Sequence, residues 1–398
     1  MRTPLVIDRD YVVGALTDLV RINSINPSIA PDGAGESEIA RYVSSSLARV
    51  GLETAIHEPQ PGRASAVAFL RGRGRGRALM LNAHADTVGV ESMPAPFSAA
   101  VRDGRLYGRG AHDMKGSLAA CMGAAKALAD AGRALQGDLM IAAVADEEYG
   151  SLGTMDLVAR YKVDAAIVTE PTNLEICLAH KGYLWIEVQT AGRAAHGSRF
   201  AEGIDANMRM GRFLAELDQL EGTLRRRPAH PLVGPPSLHA AVLNGGTGLS
   251  TYAATCTLKI ERRTVPGETE EQALAEIQGL VDKLAAADST FRATVRPFFV
   301  RQPFEISPEA EIVKVLGCAA RDVLGRDPAF VGDSPWMEAA LLAGAGIETV
   351  VMGPIGAGEH SSEEWVDLES VCRMAEILAR TAVAYCAEEA QGRSSRHQ

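Results

Sequence analysis

Aromatic side chains are scarce in this chain of 398 residues, since phenylalanine, tryptophan and tyrosine together make up 5%. Basic residues do not dominate either: 40 lysines and arginines stand against 50 aspartates and glutamates, which leaves a formal net charge of −10. Surfaces that bind nucleic acids usually combine a basic patch with aromatic side chains for base stacking. The composition therefore gives no support to a nucleic-acid partner.

The chain also lacks a Cys-x-x-Cys pair, and no apolar run approaches the roughly 20 residues that span a bilayer. Two of its six cysteines, Cys121 and Cys177, lie inside apolar runs, which is typical of reduced and buried thiols. The first residues lack the apolar stretch of a secretory signal peptide. We therefore expect a cytoplasmic protein with no membrane partner.

What the chain does have is enough apolar sequence for more than one domain. Hydrophobic residues make up 46% of it, and its length exceeds an average domain of about 150 residues. Residues 8–22 and 36–50 have helical spacing, and 114–131 reads as a helix with Asp113 as its cap. Short, continuously apolar runs predict strands at 78–81, 139–144, 165–168 and 349–352. Such runs are typical of a largely parallel sheet covered by helices on both faces.

The middle of the chain has a different pattern. Alternating segments predict strands at 183–190, 237–243, 253–263 and 291–300, with helices at 205–219 and 268–287. This β-α-β-β-α-β order is that of a ferredoxin-like domain. We therefore predict an α/β fold in which a ferredoxin-like domain at 181–296 is inserted into a larger domain formed by 1–180 and 297–398.

Acidic and histidine side chains follow each of the predicted parallel strands. In order, they are His84-Ala85-Asp86, Asp146-Glu147-Glu148, Glu170 and, after a glycine-rich loop, His360. Because the carboxyl ends of parallel strands meet at one edge of a sheet, we expect these side chains to converge. Clustered carboxylates repel one another, and a divalent cation removes that conflict. Imidazole with carboxylate favours zinc or a similar metal.

Two short patterns support this interpretation. In an extended segment residues i and i+2 point the same way, so Asp86 can hold the second nitrogen of His84. Of the adjacent Glu147 and Glu148, one can bind metal while the other remains a free base. Each pattern alone has an ordinary alternative, such as a solvated turn or, for Asp113, a helix cap. Their joint position at strand and helix ends favours a metal site.

Taken together, these residues resemble the M20 family of metallopeptidases and deacylases, a group that includes acetylornithine deacetylase, succinyl-diaminopimelate desuccinylase, aminoacylase and glutamate carboxypeptidase. The motifs run through nearly the whole chain in the order of the family. They are Asn82–Val88, Gly108–Gly116, Asp146–Glu148, Thr169–Pro171, Gly192–Ser198, Arg262–Glu268 and the loop Gly353–His360.

The resemblance implies a site for two divalent metal ions, most often zinc and alternatively cobalt. Asp113 would bridge the two ions. His84 and Glu170 would complete one metal site, and Glu148 and His360 would complete the other.

The resemblance also implies roles for residues that bind no metal. Glu147 would be the general base, and Asp86 would orient the first metal-binding histidine. His196 of the inserted domain would reach the site of a partner subunit and stabilise the oxyanion, which implies a homodimer formed through that domain. Arg263 would bind the substrate carboxylate, with Asn207 as a further substrate-binding candidate.

The chain departs from the family pattern at two positions of the stretch 244–253. Ser250 stands where the family usually has asparagine, and Ala253 stands where it often has proline. The substrate contact expected at Ser250 is therefore weakened or lost. His112, which precedes Asp113, falls at a variable family position, and we expect a structural role for it.

The resulting expectation is a hydrolase that cleaves the amide bond of N-acyl amino acids, as in the acetylornithine deacetylase group. Glu170, where aminopeptidase-like members tend to have aspartate, and the segment 333–341 favour that group. A carboxypeptidase or dipeptidase is the alternative within the family. A two-metal phosphoesterase would need more basic residues than Arg263 alone. A non-catalytic metal-binding protein would have no use for the free base Glu147.

Overall fold

The computed structural model describes residues 5–132 and 134–387 of the chain. The chain forms two compact units, and the first is assembled from segments that are separated in sequence. So far as these residues are described, the first unit comprises Met1–Leu178, Ile306–Val331 and Met337–Gln398, and the second comprises Ala179–Glu305 and Gly332–Trp336. In sequence, the second unit is thus an insertion into the first.

Helices and strands alternate along the described residues. The helices are α1 (Arg9–Arg21), α2 (Ser37–Arg49), α3 (Gly116–Asp130), α4 (Leu152–Arg160), α5 (Ala206–Arg225), α6 (Glu270–Ala287), α7 (Glu311–Leu324), α8 (Ala339–Gly344) and α9 (Leu368–Tyr385). The strands are β1 (Glu53–Gln60), β2 (Arg63–Leu70), β3 (Leu79–His84), β4 (Ala100–Arg102), β5 (Arg105–Tyr107), β6 (Leu139–Val144), β7 (Ala165–Val168), β8 (Ile176–His180), β9 (Gly182–Ala191), β10 (Ser237–Gly245), β11 (Thr255–Thr264), β12 (Arg292–Arg301), β13 (Phe304–Glu305), β14 (Phe330–Asp333), β15 (Glu348–Val351), β16 (Gly356–Ala357) and β17 (Trp365–Asp367). Within residues 5–132 and 134–387, no helix combines the length and the apolar character needed to cross a membrane.

The first unit is built on a mixed sheet with the strand order β1-β2-β6-β3-β7-β15-β8. Strands β6, β3, β7 and β15 run parallel to one another, and the strands on either side of them, β2 and β8, are antiparallel. They are the four apolar strands predicted from the sequence, and β3, β6 and β7 are buried along their whole length. Helices pack on the sheet, so neither face of these strands meets water, and their side chains can be apolar throughout. The predicted α/β fold, with a mixed sheet flanked by helices, is confirmed, and the parallel pairings lie at its centre.

The start of α3 differs from the prediction. The helix begins at Gly116, and the preceding residues Ala111–Lys115 form a short π-helical turn. Within this turn Asp113 has the non-helical angles φ −112° and ψ 91°. The prediction that Asp113 caps the helix is wrong, because histidine side chains engage its carboxylate instead.

A small sheet with the strand order β16-β17-β5-β4 presents His360. Strands β16 and β17 form a hairpin, and His360 lies in its connecting loop with a φ of +55°. Next to this loop, Trp365 of β17 pairs with Tyr107 of β5, and the Arg105 guanidinium lies 3.8 Å from the centre of the Trp365 ring.

The second unit consists of an antiparallel sheet, β10-β11-β9-β12, with α5 and α6 packed on one face. Alternate residues of β9, namely Leu184, Ile186 and Val188, point into the core between sheet and helices. Side chains cap both helices: Asp205 accepts backbone N–H groups at the start of α5, and Thr269 begins a capping box at α6. The predicted ferredoxin-like order is confirmed.

The limits of the second unit differ from the expected 181–296. Strand β12 continues past residue 296 to Arg301. The indole Nε1 of Trp336 donates a hydrogen bond of 3.1 Å to the carbonyl of Gln302. These contacts assign to the second unit two stretches that the sequence analysis placed in the segment 297–398.

Candidate metal centre

The carboxyl ends of the parallel strands carry the predicted site residues. His84 is the last residue of β3, Glu147 and Glu148 follow shortly after β6, and Glu170 follows β7. His360 reaches the same place from the β16–β17 hairpin. The parallel sheet therefore brings together side chains that are distant in sequence.

Asp113 lies between two histidines. Its Oδ1 is 2.9 Å from Nε2 of His84, and its Oδ2 is 3.3 Å from Nε2 of His360. The His84 side chain is buried, whereas the His360 side chain is 57% exposed. Because each imidazole faces a different oxygen of one carboxylate, Asp113 has the geometry of a bridging ligand.

Three glutamates surround this trio. His360 Nε2 lies 3.2 Å from Oε2 of Glu148, and His84 Nε2 lies 3.8 Å from Oε1 of Glu170. One atom each from His84, Asp113 and Glu148 lie within 4.8 Å of one another, and the same holds for His84, Glu147 and Glu170. Glu147 is thus part of the cluster and lies on the side of His84 and Glu170.

The carboxylate of Asp86 makes different contacts from those expected. The closer acceptor for His84 Nδ1 is the backbone carbonyl of Asp86, at 3.0 Å, while Oδ1 of Asp86 is 3.6 Å away. The carboxylate accepts the backbone N–H groups of Glu147 at 3.1 Å and Glu148 at 3.2 Å. Asp86 therefore orients His84 through its main chain and the two glutamates through its side chain.

A buried polar network that the sequence analysis missed continues outward from Asp86. The amide of Asn26 donates to Asp86 at 2.8 Å and to Asp146 at 3.0 Å. The guanidinium of Arg63 pairs with Asp146 at 2.6 Å and with Glu36 at 2.7 Å. The sequence held one clue, an arginine at the start of the mostly apolar run Arg63–Leu70.

A second missed group fixes the backbone around Asp113. The buried carboxylate of Glu364 accepts the N–H groups of Gly110 at 3.0 Å, His112 at 2.9 Å and Asp113 at 3.0 Å. The guanidinium of Arg109 pairs with the same carboxylate at 2.7 Å. The non-helical backbone that turns Asp113 toward the histidines is held by these bonds.

Glu338 is a further buried carboxyl that the sequence analysis did not single out. Thr154 donates to it at 2.7 Å and accepts from the amide of Asn82 at 3.1 Å. Burial raises the pKa of Glu338 to about 7. The first unit therefore contains one more ionisable group, and burial disfavours the charged form of that group.

The inner carboxylates perturb one another. Burial raises the pKa of Glu147 well above its usual value, and the charge of Glu170 adds to this effect. Burial, opposed by His84 and reinforced by Asp113, raises the pKa of Glu170 to about 8. Burial alone would raise the pKa of Asp113, but hydrogen bonds from His360 and His84 hold it well below its usual value. The glutamates are thus crowded by negative charge.

The residues present fit a pair of divalent cations. Two imidazole Nε2 atoms face a shared carboxylate, and further carboxylate oxygens lie on both sides of it. This is the mixture of nitrogen and oxygen donors that zinc and similar metals bind. Cations at these positions would also offset the burial and the mutual repulsion that raise the pKa values of Glu147 and Glu170.

The remaining candidate residues belong to the second unit. The backbone N–H that follows His196 donates to the carbonyl of Ser250 at 2.7 Å, so the loops bearing these two residues are neighbours. Asn207 is exposed in the first turn of α5. The guanidinium of Arg263 is already paired, since its Nε donates to Glu261 at 2.7 Å.

Sequence comparison assigns the class of protein. The model of Peptidase family M20/M25/M40 matches residues 80–384, and the chain belongs to that family. It is a hydrolase of the peptidase and deacylase kind. Acetylornithine deacetylase of Myxococcus xanthus is 32% identical over 333 residues, which cover 80% of this chain and 83% of that protein. N-formyl-4-amino-5-aminomethyl-2-methylpyrimidine deformylase of Bacillus subtilis strain 168 is 28% identical, covering 90% of this chain and 92% of that protein.

Solved structures show the same fold. An aminopeptidase PepT from Bacillus cereus superimposes with a TM-score of 0.78 at 18% identity, covering 96% of this chain and 100% of that chain. A dinuclear metal binding peptidase of the M20 family from Bacillus subtilis gives a TM-score of 0.74 at 16% identity, covering 94% of this chain and 98% of that chain.

Proposed function

We propose that this hydrolase cleaves the amide bond of N-acyl amino acids, in the manner of an acetylornithine deacetylase. The observation that carries the proposal is the position of Asp113 between His84 and His360, with the buried carboxyl of Glu147 beside them. Both relatives described above support it, because one is a deacetylase and the other a deformylase. Each name denotes removal of an acyl group.

His84, Asp113 and Glu170 would hold one divalent cation, and Asp113, Glu148 and His360 would hold the other. Zinc is the metal we expect, with cobalt as an alternative, because both accept imidazole and carboxylate ligands. When bound, two such ions polarise the scissile carbonyl and lower the pKa of a water molecule in the site.

Glu147 is the proposed general base. It takes a proton from the attacking water and delivers it to the nitrogen of the leaving amine as the C–N bond breaks. The hydrogen bond of 3.1 Å from its backbone N–H to Asp86 fixes the start of its side chain. A buried carboxyl with a raised pKa suits this task, because it can hold the proton between the two steps.

Residues of the second unit would bind the substrate. Arg263 can grip a carboxylate through two parallel hydrogen bonds, although Glu261 competes for its guanidinium. Asn207 and Ser250 are the further substrate-binding candidates. His196 would donate a hydrogen bond to the developing oxyanion.

A homodimer formed through the second unit would allow His196 to reach the site of the partner subunit. Strand β10 lies at an edge of its sheet, and Val242 and Leu243 on it are 46% and 52% exposed. Apolar side chains on an open edge strand support pairing with a second copy. We also propose a cytoplasmic location, which is supported by six free cysteines.

A carboxypeptidase or dipeptidase is the second candidate, because the structures with this fold include peptidases. A panel of N-acetyl and N-formyl amino acids, assayed beside dipeptides with the zinc-loaded protein, separates the two functions. A deacylase should release acetate or formate with a kcat/KM well above that for any dipeptide. Faster turnover of dipeptides would assign the peptidase function, and no turnover of either class would refute amide hydrolysis.

A further inference from the structure

The loop that carries His360 is held by the residues on either side of it. The neighbouring carboxylate of Glu359 lies 2.8 Å from Nε2 of His112. On the other side, the carbonyl of Ser361 accepts a hydrogen bond of 2.9 Å from the Arg109 guanidinium. His360 is half-exposed, so these flanking contacts do more to fix its backbone than its own burial does.

His112 is buried, and one nitrogen of its imidazole has a polar partner. Its Nδ1 has no hydrogen-bond partner among the described residues, so Nε2 is the nitrogen that engages Glu359. The ring also packs directly against the start of the hairpin: a Cβ added at Gly356 would lie 2.4 Å from Nδ1. The imidazole therefore touches the hairpin at two separate points.

His112 and the bridging ligand are consecutive residues with different orientations. The side chain of Asp113 faces His84 and His360, whereas that of His112 faces Glu359. The contact between His112 and Glu359 therefore helps to set the distance from the Asp113 carboxylate to His360.

We propose that His112 is a positioning residue for His360: through Glu359 and Gly356 it fixes the hairpin loop and sets the affinity of the cation held by Glu148 and His360. This inference rests on the proposed dinuclear site. It concerns one of the two ions, because His84 and Glu170 come from β3 and from the end of β7, outside the hairpin.

The expected size of the effect follows from how metal sites respond to loss of an outer contact. Removing a partner that orients a metal ligand typically weakens metal binding by about 10-fold to 100-fold. Glu359→Ala should therefore lower the affinity for the zinc ion held by Glu148 and His360 by about that factor. The affinity for the other ion should not change. Glu359 is 47% exposed on its side chain, so its removal leaves no buried cavity.

In the experiment, the metal-free full-length protein is titrated with zinc alone in a calorimeter, and the affinity for each zinc ion is measured. The matched control is Glu363→Ala, which removes an exposed carboxylate from the same loop without touching His112. The variant Glu359→Gln should recover most of the affinity, because its amide oxygen can still accept from Nε2 of His112. Hydrogen exchange of the amides at 358–362 in the metal-free protein should be faster in Glu359→Ala than in the wild type or the control.

A double-mutant cycle with His112→Asn completes the test. If the two residues act as a pair, the double variant should bind the second ion no more weakly than the weaker single variant. Unchanged second-site affinity in Glu359→Ala, or a loss equal to that of Glu363→Ala, would overturn the role of His112 and leave the proposed hydrolase untouched. A wild-type protein that binds fewer than two zinc ions would overturn the dinuclear site itself.

Discussion

Replacing Arg63 by methionine should destabilise the first unit by about 3–5 kcal/mol, because breaking a buried ion pair leaves uncompensated charge. Arg63 lies 2.7 Å from Glu36 and 2.6 Å from Asp146, and all three side chains are at most 5% exposed. In the described part of the chain no other arginine or lysine pairs with either carboxylate. Methionine fills a similar volume but supplies no charge.

The loss should depend on pH. Burial, opposed by Arg63, raises the pKa of Glu36 from 4.5 to about 7. A rise of this size corresponds to about 3 kcal/mol in favour of the protonated carboxyl. Between these values the folded protein holds a proton that the unfolded chain has released, so stability falls as the pH rises. Without Arg63 the pKa of Glu36 rises further. Both proteins lose stability equally up to about pH 7, and the deficit of the variant should grow above that pH.

Tryptophan fluorescence can report the first unit alone. Trp365 is its only tryptophan, since the other two, Trp185 and Trp336, belong to the second unit. Urea unfolding of Arg63→Met in a background with phenylalanine at positions 185 and 336 then gives the free energy of unfolding of the first unit. Measurements at about pH 5 and about pH 8 separate the charge effect from lost packing.

Arg71→Met is the matched control. Arg71 also pairs with two carboxylates, those of Glu53 at 2.8 Å and Asp138 at 2.7 Å, but its side chain is 49% exposed. Exposed pairs contribute about 0–1 kcal/mol, so this variant should unfold nearly as the wild type does. A loss in Arg63→Met that matches this control, or one that does not change with pH, would refute the reasoning.

Three further predictions concern activity. Prolonged chelation should abolish amide hydrolysis and added zinc or cobalt should restore it; activity that persists in protein shown to be free of metal would contradict the proposed cofactors. Glu147→Gln should lower kcat by about 10²-fold to 10⁴-fold while retaining both metal ions, and near-normal turnover would exclude Glu147 as the base. Arg263→Lys should raise KM about tenfold for substrates with a free carboxylate, because lysine cannot form the paired hydrogen bonds; an unchanged KM would exclude this contact.

Much of the fold could be predicted because its signals are local. Continuous apolar runs identified the parallel strands, and the alternating pattern of 253–263 identified a strand of the inserted sheet. The acidic and histidine residues could be placed at one edge because parallel strands end together. These inferences require only the spacing of apolar residues along the sequence and the direction in which each strand runs.

The details that failed depend on contacts between distant segments. Asp113 has the sequence position of a helix cap, but the hydrogen bond that its backbone N–H donates to Glu364 helps to hold it in a non-helical turn. The spacing of His84 and Asp86 predicted a direct contact between imidazole and carboxylate. That carboxylate lies 3.6 Å from the imidazole and also accepts N–H groups more than sixty residues away, which spacing alone could not indicate.

The first unit contains two sets of buried carboxylates, which differ in whether arginine side chains pair with them. The outer set has partners from the protein itself: Arg63 pairs with Glu36 and Asp146, and Arg109 pairs with Glu364. The inner set does not. Among residues 5–132 and 134–387, no arginine or lysine forms an ion pair with its members, which are Asp113, Glu147, Glu148 and Glu170.

This division is itself an argument for the metal centre. Burying a carboxylate without a counter-charge is costly, and a fold that supplies arginines to the outer set could have supplied them to the inner one. It places two histidines there instead, and a neutral imidazole offers a lone pair that a guanidinium lacks. In the described part of the chain the inner carboxylates have imidazole neighbours but no lysine or arginine partner, which supports the proposed cations. Zinc should therefore stabilise the first unit against unfolding.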